Sequence, residues 1–120
     1  MSKILIVDDL PTEVQLMQAA IAKLGHSTIV ATDGEQALEM ARRENPDLVL
    51  LDVVLPRMDG FQVCRKIKKD AQISKIPVIL VSSKTQESDK FWGLKQGASA
   101  YICKPFSPQE LADTVSKNLH

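Results

Sequence analysis

The 120-residue chain balances 15 Lys and Arg against 15 Asp and Glu, and 44% of its residues are apolar. That neutrality excludes a general electrostatic pull towards nucleic acid or an anionic bilayer. No apolar run approaches the ~18 residues of a membrane span, and Asp8-Asp9 cuts the first apolar run too short for a signal peptide. The length fits one domain, residues 1–120, with no attached output domain expected.

Ile4-Leu5-Ile6-Val7 is a short run, apolar on both faces, that ends in Asp8-Asp9. It reads as a buried parallel strand. Pro11-Thr12-Glu13 opens a helix, with Thr12 expected as N-cap and Gln15 at the capping-box position. Val14, Met17, Ala20, Ile21 and Leu24 form its buried face, and Gly25 ends it. Thr28–Ala31 is the second strand. Thr32-Asp33-Gly34-Glu35 starts the second helix, which buries Ala37, Leu38 and Ala41 and ends at Asn45-Pro46.

Leu48-Val49-Leu50-Leu51-Asp52 is the central strand. Four apolar residues run into one acid, and the chain turns at Pro56. Asp59-Gly60 begins a third helix, with Phe61, Cys64 and Ile67 inward and Arg65, Lys66, Lys68 and Lys69 on a solvated face. Pro77–Val81 is a fourth strand ending in Ser82-Ser83. A helix over about 86–96 closes at Gly97, and Ala100–Cys103 is the last strand, ending in Lys104-Pro105. Ser107-Pro108-Gln109-Glu110 starts the last helix, with Leu111, Val115 and Leu119 inward. Cys64 and Cys103 have no metal-ligand spacing and read as small buried hydrophobes in a reduced, cytoplasmic setting. His26 reads as a turn residue and His120 as a frayed end.

The pattern is (βα)5, an α/β chain with a five-stranded parallel sheet and helices on both faces. The expected doubly wound order is 2-1-3-4-5, with its topological switch between strands 1 and 3. Asp8, Asp9 and Asp52 then converge at the carboxyl ends of the strands beside that switch, with Ser82 and Lys104 on the same rim. Three converging carboxylates need a counter-charge. Hard oxygen donors suit Mg²⁺. A divalent cation and one lysine would bring the three negative charges to zero. Asp52 could then attack phosphorus, with Lys104 and the Ser82 hydroxyl holding phosphoryl oxygens.

Asp8-Asp9, Asp52, Ser82 and Lys104-Pro105-Phe106, each following a strand in order, resemble a response-regulator receiver domain. The likeness covers the whole chain, including the Met58-Asp59-Gly60 turn and the Gly97–Tyr101 lead-in. It implies that Asp52 is the phosphoacceptor. It implies that Asp9, Asp52 and the Val54 backbone carbonyl bind Mg²⁺, while Asp8 holds metal-bound water. Ser82 is implied as switch hydroxyl, Tyr101 as switch aromatic and Lys104 as phosphate clamp, with a cis Lys104-Pro105 peptide. The implied donor is a sensor histidine kinase. The implied output is a protein target on the face of the fourth helix, fifth strand and fifth helix, with no DNA or membrane contact.

Such a chain is expected as a monomer that catalyses only its own phosphorylation and dephosphorylation. Residues 82–93 are similar to receivers of pilus-driven motility, within the chemotaxis-type (CheY-like) group. Val54 and Lys84 are expected beside the phosphoryl group, and apolar Leu10 is expected to restrict access. Trp92 either packs the fourth helix or marks a partner surface.

Three other classes share parts of this pattern. A haloacid-dehalogenase-type phosphatase needs a second acid two residues past the nucleophile, where Val54 stands. A flavodoxin-like carrier needs a phosphate loop after the first strand, where Asp8-Asp9 would repel phosphate. A receiver-shaped module that binds partners without phosphorylation is the remaining alternative.

Overall fold

The computed structural model describes residues 1–119; the chain end at His120 lies outside them. Ten elements alternate: β1 Lys3–Val7, α1 Pro11–Ala22, β2 Ser27–Ala31, α2 Gly34–Glu44, β3 Leu48–Asp52, α3 Gly60–Lys69, β4 Val78–Ser82, α4 Glu87–Lys95, β5 Ala100–Cys103 and α5 Pro108–Asn118. The strands form one parallel sheet in the order β2-β1-β3-β4-β5, as the alternating pattern requires.

The period of two along each strand divides the core. Leu5, Val7, Val49, Leu51 and Leu80 face α2 and α3, where Ala37, Leu38, Ala41, Val63, Cys64 and Ile67 meet them. Ile4, Ile6, Leu48, Leu50, Ile79 and Val81 face α1 and α5, against Met17, Ile21, Leu111 and Val115. β3 and β4 are buried on both faces throughout. Because β1 and β3 lie side by side with Val7 opposite Leu51, their acids emerge together at the carboxyl edge.

The helix starts differ in how they are capped. Pro11, with its fixed φ, opens α1 two residues earlier than a Thr12 cap would; Leu10 is the N-cap and no side chain caps the helix. Thr12 is therefore inside the helix and the Thr12–Gln15 box does not form. Asp33 caps α2 and Asp59 caps α3 in a full box with Gln62. The Ser107 hydroxyl accepts the Glu110 N–H at 3.0 Å. α2 stops at Asn45, which adopts the left-handed conformation at φ 47°, so a left-handed cap acts before Pro46 does. Val63, not singled out in the sequence, is buried with Cys64, while Phe61 is half-buried. Cys103 is also half-buried rather than buried, because β5 is an edge strand.

α4 is the loosest fit. Its only buried residue is Gly93, which lies against Leu80 and Tyr101; a Cβ there would stand 2.7 Å from Leu80 Cδ1 and 3.0 Å from Tyr101 Cδ2. Phe91, Trp92 and Leu94 are 50% or more exposed, which places Trp92 on the surface rather than in the helix seam.

Candidate functional site

Asp8, Asp9 and Asp52 each offer a carboxylate oxygen within 4.8 Å of the others. Strand pairing brings them together, and burial sets their character. Asp8 is fully buried and Asp52 nearly so, whereas Asp9 is exposed. Asp8 accepts the Leu10 N–H through Oδ1 at 3.0 Å and the Lys104 ammonium through Oδ2 at 3.0 Å. Asp52 Oδ1 accepts the Val54 N–H at 3.2 Å, and Oδ2 lies 3.7 Å from Lys104 Nζ.

One ammonium thus spans two buried carboxylates from β5's end, across the sheet. The Lys104-Pro105 peptide that delivers it is cis. Gly60 closes the site from below. Its N–H donates to the Val53 carbonyl at 2.8 Å, and a Cβ there would run into the Asp52 carbonyl oxygen and stand 2.7 Å from Val53 Cα. Only glycine lets the start of α3 approach the acceptor strand this closely.

Asp52 and Lys104 are both held above their ordinary values, for different reasons. Burial pushes Asp52 up to about 6; Lys104 opposes that rise, while Asp8 and Asp9 add to it. Burial works against the Lys104 charge, but the Asp8 hydrogen bond and the nearby acids outweigh it and hold Lys104 above its ordinary value. The donor set is three carboxylates with no nitrogen or sulfur, and it fits a hard divalent cation such as Mg²⁺.

A groove of about 550 Å³ opens beside Asp52. Its polar lining is Asp9, Glu13, Asp52, Ser83 and Lys104; its apolar lining is Leu10, Leu16, Val54, Pro105 and Phe106. Leu10 and Val54 line this groove, while Lys84 is exposed and is not part of the lining.

Ser82 lies at the expected strand end but is fully buried, and its hydroxyl accepts the Lys84 N–H at 3.1 Å, within the β4–α4 loop. Ser83 is the hydroxyl residue that reaches the groove. Tyr101 is half-buried and its hydroxyl donates to the Lys84 carbonyl at 2.6 Å. Ser82, the Lys84 backbone, Tyr101 and Gly93 therefore form one contiguous path from the acidic rim to α4.

The sequence reading missed Glu13, whose Oε2 lies 3.9 Å from Lys104 Nζ. An acid in the first turn of a helix reads as a partner for the helix dipole, and only the packing of α1 against the sheet turns it towards Lys104. Leu16 and Phe106 were missed as groove walls for the same reason. The cysteines take no part: burial pushes the Cys64 thiol up to about 11, and neither cysteine lines the groove. His26 accepts the Ser2 N–H at 3.0 Å at the amino end of the sheet, away from the acids.

Residues 4–116 match the family described as response regulator receiver domain. Protein PilH of Pseudomonas aeruginosa is 47% identical over 116 residues, which cover 97% of this chain and 96% of PilH. The chemotaxis response regulator CheY4 of Vibrio cholerae superposes with a TM-score of 0.92 at 29% identity, covering 99% of each chain. The receiver domain of sensor histidine kinase PA1611 of Pseudomonas aeruginosa superposes with a TM-score of 0.89 at 29% identity, covering 98% of this chain and 96% of that one; its structure holds a magnesium ion coordinated in the active site cleft.

Proposed function

The chain belongs to the response-regulator receiver family, and from that premise we propose that it takes a phosphoryl group onto Asp52 from a phosphohistidine of a sensor histidine kinase. The observation that carries this reading is the Asp8–Asp9–Asp52 cluster, spanned by the Lys104 ammonium, at the mouth of an open groove. An Asp52 carboxylate oxygen forms the new O–P bond, and the P–N bond breaks with its electron pair leaving on the imidazole nitrogen. Asp8, Asp9, Asp52 and the Val54 carbonyl would hold Mg²⁺, which supplies charge neutralisation at the phosphoryl oxygens when bound. The magnesium in the PA1611 receiver supports that assignment.

Lys104 turns from Asp8 towards a phosphoryl oxygen. Its partial burial lowers solvent screening, so its charge acts more strongly than at the surface. Ser82 turns from the Lys84 N–H to donate its hydroxyl to a second oxygen. That frees the loop bond that holds the Lys84 backbone, to which Tyr101 is tied. The phosphoryl group thus favours one packing of β4, Tyr101 and α4 by differential contact.

The readout is a protein target on the α4–β5–α5 face, where Phe91, Trp92 and Leu94 stand exposed. Likeness to PilH and CheY4 supports a place in pilus-based or chemotaxis-like motility signalling. Among the described residues no helix is long and apolar enough to cross a membrane, in keeping with a cytoplasmic regulator.

Intact mass after incubation with acetyl phosphate and Mg²⁺ tests the reading. A single phosphoryl adduct that requires both Mg²⁺ and Asp52 is expected. An adduct that persists in Asp52→Ala would place the acceptor elsewhere. No adduct from any donor would leave a receiver-shaped module that binds without phosphorylation.

A further inference from the structure

Glu13 unbalances the site. Asp8, Asp9 and Asp52 match a divalent cation plus Lys104, and Glu13 is a fourth acid, lining the groove alongside Asp9 and Asp52. Its one basic neighbour among the described ion pairs is Lys104 at 3.9 Å, and Asp8 already holds that ammonium at 3.0 Å. The same ammonium lies 3.7 Å from Asp52, so Glu13 and the acceptor flank a single cation. Once Lys104 serves a phosphoryl oxygen, Glu13 has no counter-charge. Leu10, Leu16, Val54, Pro105 and Phe106 line most of the rest of the groove, with Ser83 its one neutral hydroxyl residue, and such walls bring few dipoles to mask the excess charge.

From this placement we propose that Glu13 selects phosphoryl donors by charge. The groove disfavours a donor that brings only negative charge, and favours one that carries a cation beside its phosphoryl group. The fitting partner is a protein segment whose phosphohistidine is flanked by a lysine or arginine facing Glu13, with apolar side chains against Leu10 and Leu16. Glu13 is a specificity residue here; it forms no bond to phosphorus. The inference rests on Asp52 being the phosphoacceptor.

Two small donors separate the charges. Acetyl phosphate is a plain anion and releases acetate when its P–O bond breaks. Phosphoramidate carries an ammonium on phosphorus and releases ammonia when its P–N bond breaks. Labelling rates are read by intact mass at magnesium concentrations shown by calorimetry to saturate each variant. Glu13→Gln is expected to speed labelling by acetyl phosphate roughly three- to tenfold, the effect of removing one unit charge at this range in a partly screened site. The phosphoramidate rate should change less than twofold, and Glu13→Asp should keep the wild-type preference. In the wild type alone, added salt should raise the acetyl phosphate rate relative to phosphoramidate.

Equal changes with both donors, or no change, would overturn the role of Glu13 while leaving Asp52 as acceptor. No adduct on the wild type from either donor would overturn the acceptor reading and this inference with it.

Discussion

Replacing Asp52 with Asn should make the protein more stable at neutral pH in the absence of divalent cations. The carboxyl is nearly buried and its pKa rises from an ordinary 3.8 to about 6. Burial disfavours the charged form, so folding has to force a charge into a place that resists it. Below the unfolded value both states are protonated and the group contributes nothing. Between there and about 6 the unfolded chain gives up its proton while the folded chain keeps it, so stability falls as pH rises. Above the folded value the whole penalty is present. Each tenfold step in the proton equilibrium is worth about 1.4 kcal/mol, so the penalty at pH 7 is about 3 kcal/mol.

Asparagine removes the charge and can keep the Val54 N–H bond through its own Oδ1. Its amide faces Lys104, which takes back part of the gain, so a net of about 1–3 kcal/mol is expected. Urea denaturation with a chelator present, at pH 7 and again at pH 4, measures it. The gap between variant and wild type should be large at pH 7 and mostly gone at pH 4. A variant no more stable than wild type at pH 7, or a gap that does not shrink in acid, would refute the argument that burial of this carboxylate is a cost of function.

Mg²⁺ should reverse that order by binding only the folded wild type, adding about 2.7 kcal/mol at a hundredfold excess over its dissociation constant; Asp9→Asn should lose much of this gain, and an unchanged shift in the melting temperature would remove Asp9 from the cation site. Gly93→Ala should cost about 1–3 kcal/mol by crowding Leu80 and Tyr101. Gly60→Ala should cost more, because its neighbours are backbone atoms of Asp52 and Val53 that cannot turn aside; denaturation midpoints in the opposite order would contradict this. Val54→Asn should shorten the life of the phosphorylated protein, since an apolar side chain at the groove mouth cannot orient an attacking water; equal decay by timed intact mass would count against it. Ser107→Ala should cost about 1 kcal/mol by leaving the Glu110 N–H without its cap.

The sheet was legible because β1 and β3 are too apolar to tolerate water on either face, and alternation with helices permits few topologies. That order alone places Asp8, Asp9 and Asp52 at one edge, since strand ends are local features and strand order follows from connectivity. The Ser107 cap was readable for the same reason, its bonded partner being three residues away, whereas the Thr12 cap expected on the same rule does not form.

What depends on packing between distant elements was not readable. Glu13 looks like a helix-start acid until α1 lies on the sheet and aims it at Lys104, 91 positions along the chain. Ser82 stands at the strand end where it was expected, and only the fold of the β4–α4 loop decides that its hydroxyl meets the Lys84 N–H there. Gly60 and Gly93 looked like a turn residue and an ordinary helical position, and only the tertiary structure shows which atoms forbid a Cβ at each. Local sequence therefore determined the strands, the helix starts other than that of α1, and the acids at one rim, because those follow from solvation and short-range bonds. The tertiary structure alone decided the groove, the fourth carboxylate and the path to α4, because each is a meeting of side chains whose positions are set by the whole packed core.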